Sequence, residues 1–211
     1  MKNGPLFFFG LFFVLALSWA GLALGTHAQL GLLAPHYDDF EGKAFPEQMP
    51  GLAVQGRRVY QELGCAACHT QQVRRPGFGS DNARGWGARQ SVARDYVHQE
   101  RPMLGLSRIG PDLANYGVRA GEAGLSAGDL LAYLYNGTET MPAYRFLFTT
   151  RKIEGEPSAN ALRGGAPAGH ELVPTEAARS LVAYLLSLKQ TYEFAEARPY
   201  APADNEEGAQ E

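Results

Sequence analysis

Between Gly4 and Gly25 the chain carries an unbroken run of uncharged residues, dominated by Leu and Phe and including Trp19. At 1.5 Å rise per residue, twenty-odd residues reach roughly 30 Å, the thickness of a bilayer's hydrocarbon core. A helix buried in a soluble core keeps some polar face, and this one has none. The rival reading is a cleaved signal peptide, since Ala23, Leu24 and Gly25 form a small-x-small pattern. A signal core is ordinarily about 7–15 residues long, and the basic region here is only Lys2 plus the amino terminus. The run is therefore read as a retained transmembrane helix over residues 4–25.

Proline and acid organise the next stretch. Residues 26–50 hold Pro35, Pro46 and Pro50 with Asp38, Asp39 and Glu41, and read as an extended connector over the membrane surface. Residues 51–192 make the water-facing domain, and residues 193–211 a flexible acidic tail. The 211 residues include 19 Lys+Arg against 22 Asp+Glu, for a formal net charge of −3. That balance excludes the clustered positive charge of a nucleic-acid-binding surface. Charged residues are 19% of the chain, with 25 Gly and 13 Pro. The domain is thus loop-rich, and something besides hydrocarbon is expected to hold it together. Two cysteines are too few for a disulfide scaffold.

Those two cysteines stand in Cys65-Ala66-Ala67-Cys68-His69, a C-x-x-C-H pattern and the attachment signature of c-type haem. Two thiols three positions apart on a helical turn can each add to one vinyl group of the porphyrin. The next residue's imidazole then lies beneath the iron. A thioredoxin-like pair would follow a strand, and no strand pattern precedes Cys65. A zinc site would want a second pair of ligands, whereas His27, His36, His98 and His170 stand singly.

Helical patterns flank the motif. Val59, Tyr60 and Leu63 share a face with Gly56, which would let another helix cross closely. Ala178, Leu181, Val182, Leu185 and Leu188 repeat at helical spacing, with Thr175 as N-cap. Between them, Ser126 and Asp129 form a capping-box pair, Leu125 and Leu130 a staple, and Asn136-Gly137 a stop. The expected fold is all-α: a class I cytochrome c-like haem domain on a single transmembrane helix.

The sixth iron ligand is sought among few residues. Met141 precedes Pro142, which disfavours helix and presents the thioether from an extended loop. Met103, beside Pro102, is the runner-up, with His98 behind it. Met141 is chosen, giving His/Met ligation that raises the iron's potential. In Arg108-Ile109-Gly110-Pro111-Asp112-Leu113, Arg108 is a candidate partner for a propionate, and Pro111 is suited to packing on the haem edge and orienting His69. Arg74 and Arg75 are alternative propionate partners. Trp86 is read either as core or as a propionate neighbour.

Three segments occur in order: Gly64 to Arg75, Arg108 to Ala114, and Met141-Pro142-Ala143-Tyr144-Arg145-Phe146-Leu147. With the N-terminal run they resemble the membrane-anchored mono-haem cytochrome c subunit (subunit II) of cbb3-type cytochrome c oxidases. The resemblance implies one covalently attached haem c on Cys65 and Cys68, with axial ligation by His69 and Met141. It places Arg108 and Pro111 in the haem surroundings. It implies a multi-span haem-copper catalytic subunit as partner, and a further cytochrome c subunit or soluble donor cytochrome. It also implies a bacterial inner membrane with the haem domain on the periplasmic side. Such a chain relays single electrons and performs no substrate chemistry. A nitric oxide reductase subunit, a free-standing anchored carrier and a haem sensor or peroxidase are the alternatives. Residues 149–174 depart from the family's pattern and read as a loop insertion.

Overall fold

The computed structural model describes residues 3–198. Its contacts divide the chain into two units, one of residues up to Glu47 together with Ala93–Glu100, the other of Gln48–Val92 and everything from Arg101 onward.

In the first unit, helix α1 (Gly4–Trp19) passes through a π-helical turn (Ala20–Leu24) into helix α2 (Gly25–Leu30). The helix is continuous over 27 residues and is long and apolar enough to cross a membrane. It therefore runs five residues past the apolar stretch that ends at Gly25. Thr26 helps continue it, donating its hydroxyl to the Ala23 carbonyl at 3.1 Å. The connector is not simply extended either. It folds into a hairpin of β1 (His36–Asp38) and β2 (Lys43–Phe45), antiparallel, with Tyr37 opposite Ala44. The Asp38 carboxylate accepts from Phe40 N at 2.8 Å and Glu41 N at 3.0 Å, which builds the turn. The segment Ala93–Glu100 belongs here too: Arg94 donates to the Ala34 carbonyl at 2.5 Å, and His98 Nε2 lies 3.0 Å from the Pro46 carbonyl.

The second unit is built around two crossing helices, α3 (Gly51–Glu62) and α6 (Glu176–Ser187). They meet backbone to backbone at Gly56, where a Cβ would stand 1.8 Å from the Ser180 carbonyl oxygen. The close approach brings Tyr60 and Tyr184 edge to face, ring centroids 5.4 Å apart, both essentially fully buried. Two shorter helices complete the core, α4 (Tyr116–Glu122) and α5 (Ala127–Asn136). Gly117 of α4 repeats the device, its missing Cβ admitting the Leu186 carbonyl. The capping box of Ser126 and Asp129 forms as the pattern predicts, Leu130 is buried and Leu125 packs beside it, and Gly137 stops α5 at φ 69°. Thr175 caps α6 by accepting from Ala178 N.

The all-α expectation is corrected here. Besides β1 and β2, the segment read as a loop insertion contains a second antiparallel pair, β3 (Phe148–Lys152) and β4 (His170–Pro174). The helical and turn signals on either side were plain, but a five-residue strand of Phe-Thr-Thr-Arg-Lys shows little periodicity and becomes a strand through its partner. Glu171 ties the hairpin's loop: its carboxylate accepts from Ser158 N and from Arg151 Nε, each at 2.6 Å. The tail is corrected in part. Phe194 and Ala197 are buried, Ala195–Ala197 is a helical turn, and residues from 199 onward lie outside the described residues.

This packing generates two expected outcomes. Gly56→Ala forces a methyl group into the Ser180 carbonyl and is expected to cost about 3 kcal/mol; thermal unfolding of the loaded protein would show Tm lower by roughly 10 °C. The Ser158 N–H, then the Arg151 guanidinium, hold the Glu171 carboxyl below the usual range. A lowered folded-state pKa contributes stability that is complete above the unfolded value near ~4.3 and lost as pH falls through the folded value. Hydrogen-exchange protection of the β3–β4 amides should therefore drop on acidification through that range, and Glu171→Gln should flatten the dependence.

Candidate haem site

The pattern begins at the end of α3. Gly64 takes φ 69°, a left-handed turn that glycine adopts without Cβ strain, and the chain enters a tight helical turn at Cys65–Ala67. His69 N and Cys68 N both bond back to the Cys65 carbonyl, at 3.0 and 3.2 Å. Both cysteines are half-buried and no disulfide joins them. Burial pushes the Cys65 thiol up to about 11, against a smaller opposing effect of hydrogen bonds that include one from Tyr144.

A second segment lies along the first and is zipped to it by backbone bonds. Leu106 N donates to Ala66 O at 3.0 Å, Gly110 N to Cys68 O at 3.0 Å, and Leu113 N to Thr70 O at 2.7 Å. His69 fits against this wall with no room to spare: a Cβ on Gly110 would stand 2.2 Å from the imidazole Cε1. Its Nδ1 lies 2.9 Å from the Pro111 carbonyl oxygen. The carbonyl can only accept, so Nδ1 carries the proton and Nε2 keeps its lone pair for a metal.

Met141 is delivered by the stop of α5. After Gly137, Thr138 N donates to Met141 O at 2.9 Å and Met141 N to Thr138 Oγ1 at 3.0 Å, a closed turn that presents the side chain half-buried against the core. Tyr144 comes next, its N bonded to Leu134 O at 2.8 Å. Met103, the runner-up, is buried within the core cluster. His98 lies in the other unit, engaged with Pro46.

Arg108 is more occupied than a propionate partner need be. Its guanidinium pairs with buried Asp81, donates to the Gln72 carbonyl at 2.6 Å and lies over the Trp86 ring, 5.4 Å from its centroid. Its Nε is buried and without a hydrogen-bond partner. Burial raises the Asp81 carboxyl, yet the bonds from Arg108 and from Arg74 N prevail and hold it below the usual range. Arg75 stacks over Phe78 at 3.9 Å. Trp86 is buried.

The residues present fit a haem. Beside the paired thiols and the oriented imidazole, Leu106, Ile109 and Phe146 are 91%, 69% and 67% exposed, an apolar surface suited to a porphyrin. Among the described residues, no three of His, Cys, Asp and Glu gather into another metal site.

The family described as "Cytochrome C oxidase, mono-heme subunit/FixO" matches residues 46–167, more than half of the chain. The chain belongs to that family. A mono-haem subunit of cytochrome c oxidase carries one haem and assembles with a catalytic oxidase subunit. A comparison with curated proteins finds no match.

Three neighbours of the FixO-family site carry no signal of that role in the sequence: Gly110, Tyr60, whose hydroxyl donates to the His69 carbonyl at 3.3 Å, and Tyr144. Gly110 stands beside Pro111, but a missing side chain signals contact only once its neighbour is known. Gly110→Ala should displace the imidazole and abolish the low-spin absorption spectrum of the loaded protein. Gly121→Ala, whose Cβ meets nothing within 4 Å, should leave it unchanged.

Proposed function

We propose that this subunit is a one-electron relay, receiving from a donor cytochrome or a quinol-oxidising complex and delivering to the oxygen-reducing haem-copper subunit. The observation that carries the reading is the proximal arrangement. His69 is locked by Pro111 in the tautomer that offers Nε2, one residue beyond two cysteines at the attachment spacing. Cys65 and Cys68 would hold the haem by thioether bonds, His69 and Met141 would ligate its iron, and Arg108 and Pro111 would stand in its surroundings. Held by these residues, the haem would supply a reversible one-electron change at iron.

The chain's own residues supply the rest. The zipper from Leu106 to Leu113 holds the imidazole in one orientation, so little rearrangement accompanies a change of charge. The Thr138–Met141 turn does the same for the thioether. The helix from Gly4 to Leu30 would keep the domain at the oxidase surface, where the second partner is reached as an effectively intramolecular event. On this reading the membrane is the bacterial inner membrane and the haem domain faces the periplasm.

Met141→Ala tests the assignment. The variant should lose the Met-to-iron absorption band of the oxidised protein and bind carbon monoxide rapidly when reduced. Its midpoint potential should fall on the order of 0.2 V, part of the roughly 0.8 V that axial ligation spans. An unchanged spectrum and potential would sink Met141 as ligand, and rapid carbon monoxide binding by the unmodified protein would favour a sensor or peroxidase instead. Purification in mild detergent should bring the multi-span oxidase subunit with it.

A further inference from the structure

We propose that Asp112 is a positioning residue for His69, setting the imidazole's orientation and hydrogen bond and, through them, the potential of the iron; this rests on the haem reading above. Asp112 is fully buried, with no exposed side-chain surface. Burying a carboxylate is costly unless it is fully engaged, so its partners identify what it holds. Oδ2 accepts from the Thr70 hydroxyl at 2.6 Å and from Gln72 N at 2.8 Å, and Oδ1 accepts from Ala114 N at 2.8 Å. Arg108 Nη2 lies 3.8 Å from Oδ2, and Arg119 donates to the Asp112 backbone carbonyl.

The two Oδ2 partners belong to the chain just after His69, and the Oδ1 partner to the chain just after Pro111. The carboxylate therefore bridges the two segments that the His69–Pro111 bond also joins. The Pro111 carbonyl is part of the peptide unit whose nitrogen is that of Asp112. Turning this oxygen away from Nδ1 rotates the Asp112 backbone and pulls its carboxylate off Thr70 and Gln72. The acceptor of the His69 proton is thus held by a side chain that never touches the imidazole. A firm Nδ1–H bond makes a ligating imidazole a stronger electron donor. Such a ligand favours the oxidised iron, so loosening the bond should raise the potential.

The test uses the full-length, haem-loaded protein. Thr70→Val removes one of the carboxylate's donors without altering charge, and Thr70→Ser keeps the hydroxyl. Asp112→Asn brings an amide NH2 to a place where three donors converge. Thr70→Val should shift the midpoint potential upward and speed exchange of the His69 Nδ1 proton about tenfold, the equivalent of one ordinary hydrogen bond. Thr70→Ser should restore both to the unmodified values. Asp112→Asn should move both further in the same direction; if it fails to mature, the Thr70 pair decides. A Thr70→Val protein that melts lower but keeps its potential and proton exchange would overturn the proposal, since a merely structural role moves stability alone. An unmodified chain with no covalent haem in a pyridine haemochrome assay would instead overturn the haem reading itself.

Discussion

Helices α3 and α6 touch through their backbones because Gly56 has no side chain, and much of the haem-binding unit depends on that contact. With a side chain at position 56 the helices would separate, and the Tyr60–Tyr184 pair could not close. Both rings reach from the crossing to the haem-binding segment: the Tyr60 hydroxyl bonds the His69 carbonyl, and the Tyr184 hydroxyl donates to Gln71 Oε1 at 2.9 Å. A contact between the first and last helices of the domain thus becomes a constraint on the residues around His69. The burial that makes this possible also pushes the Tyr60 phenol well above its ordinary range, so it stays a neutral donor.

Beyond the helices, the domain is held by buried polar side chains that satisfy loop backbone. Asp81 accepts from Arg74 N, Asp112 from Gln72 N and Ala114 N, and Asn115 from Gln190 N while donating to Trp86 O. Ser91 accepts from Val73 N and donates to Gln190. Apart from the local Asp112–Ala114 bond, each of these joins separate pieces of chain. Buried loop backbone needs such partners, because an unmade hydrogen bond costs more than a made one contributes. This is how a chain rich in Gly and Pro builds a rigid surrounding for an iron with a short list of aliphatic core residues.

Some of this was legible in the chain for local reasons. Capping boxes and helix stops are decided within a few residues, and Ser126 and Gly137 adopt the geometry that such spacings imply. Gly56 was legible as a crossing point because it shares a face with Tyr60. The β3–β4 hairpin was not: Thr149 and Thr150 find their register only opposite Val173 and Leu172, some twenty residues on. The engagement of Arg108 was equally hidden, since its partner Asp81 lies 27 positions away in a segment without periodicity.

The sequence by itself determined the membrane-length helix, the attachment motif and the family, because each is a property of contiguous residues or short spacings. Only the tertiary structure decided which nitrogen of His69 keeps its lone pair, since that depends on a carbonyl 42 residues away. It also decided that Arg108 is largely consumed by Asp81 and Gln72, and that Asp112 is a hub joining the chain after His69 to the chain after Pro111. Hydrogen bonds between distant segments leave no periodic trace in a single chain. They exist only after the helices have brought those segments together.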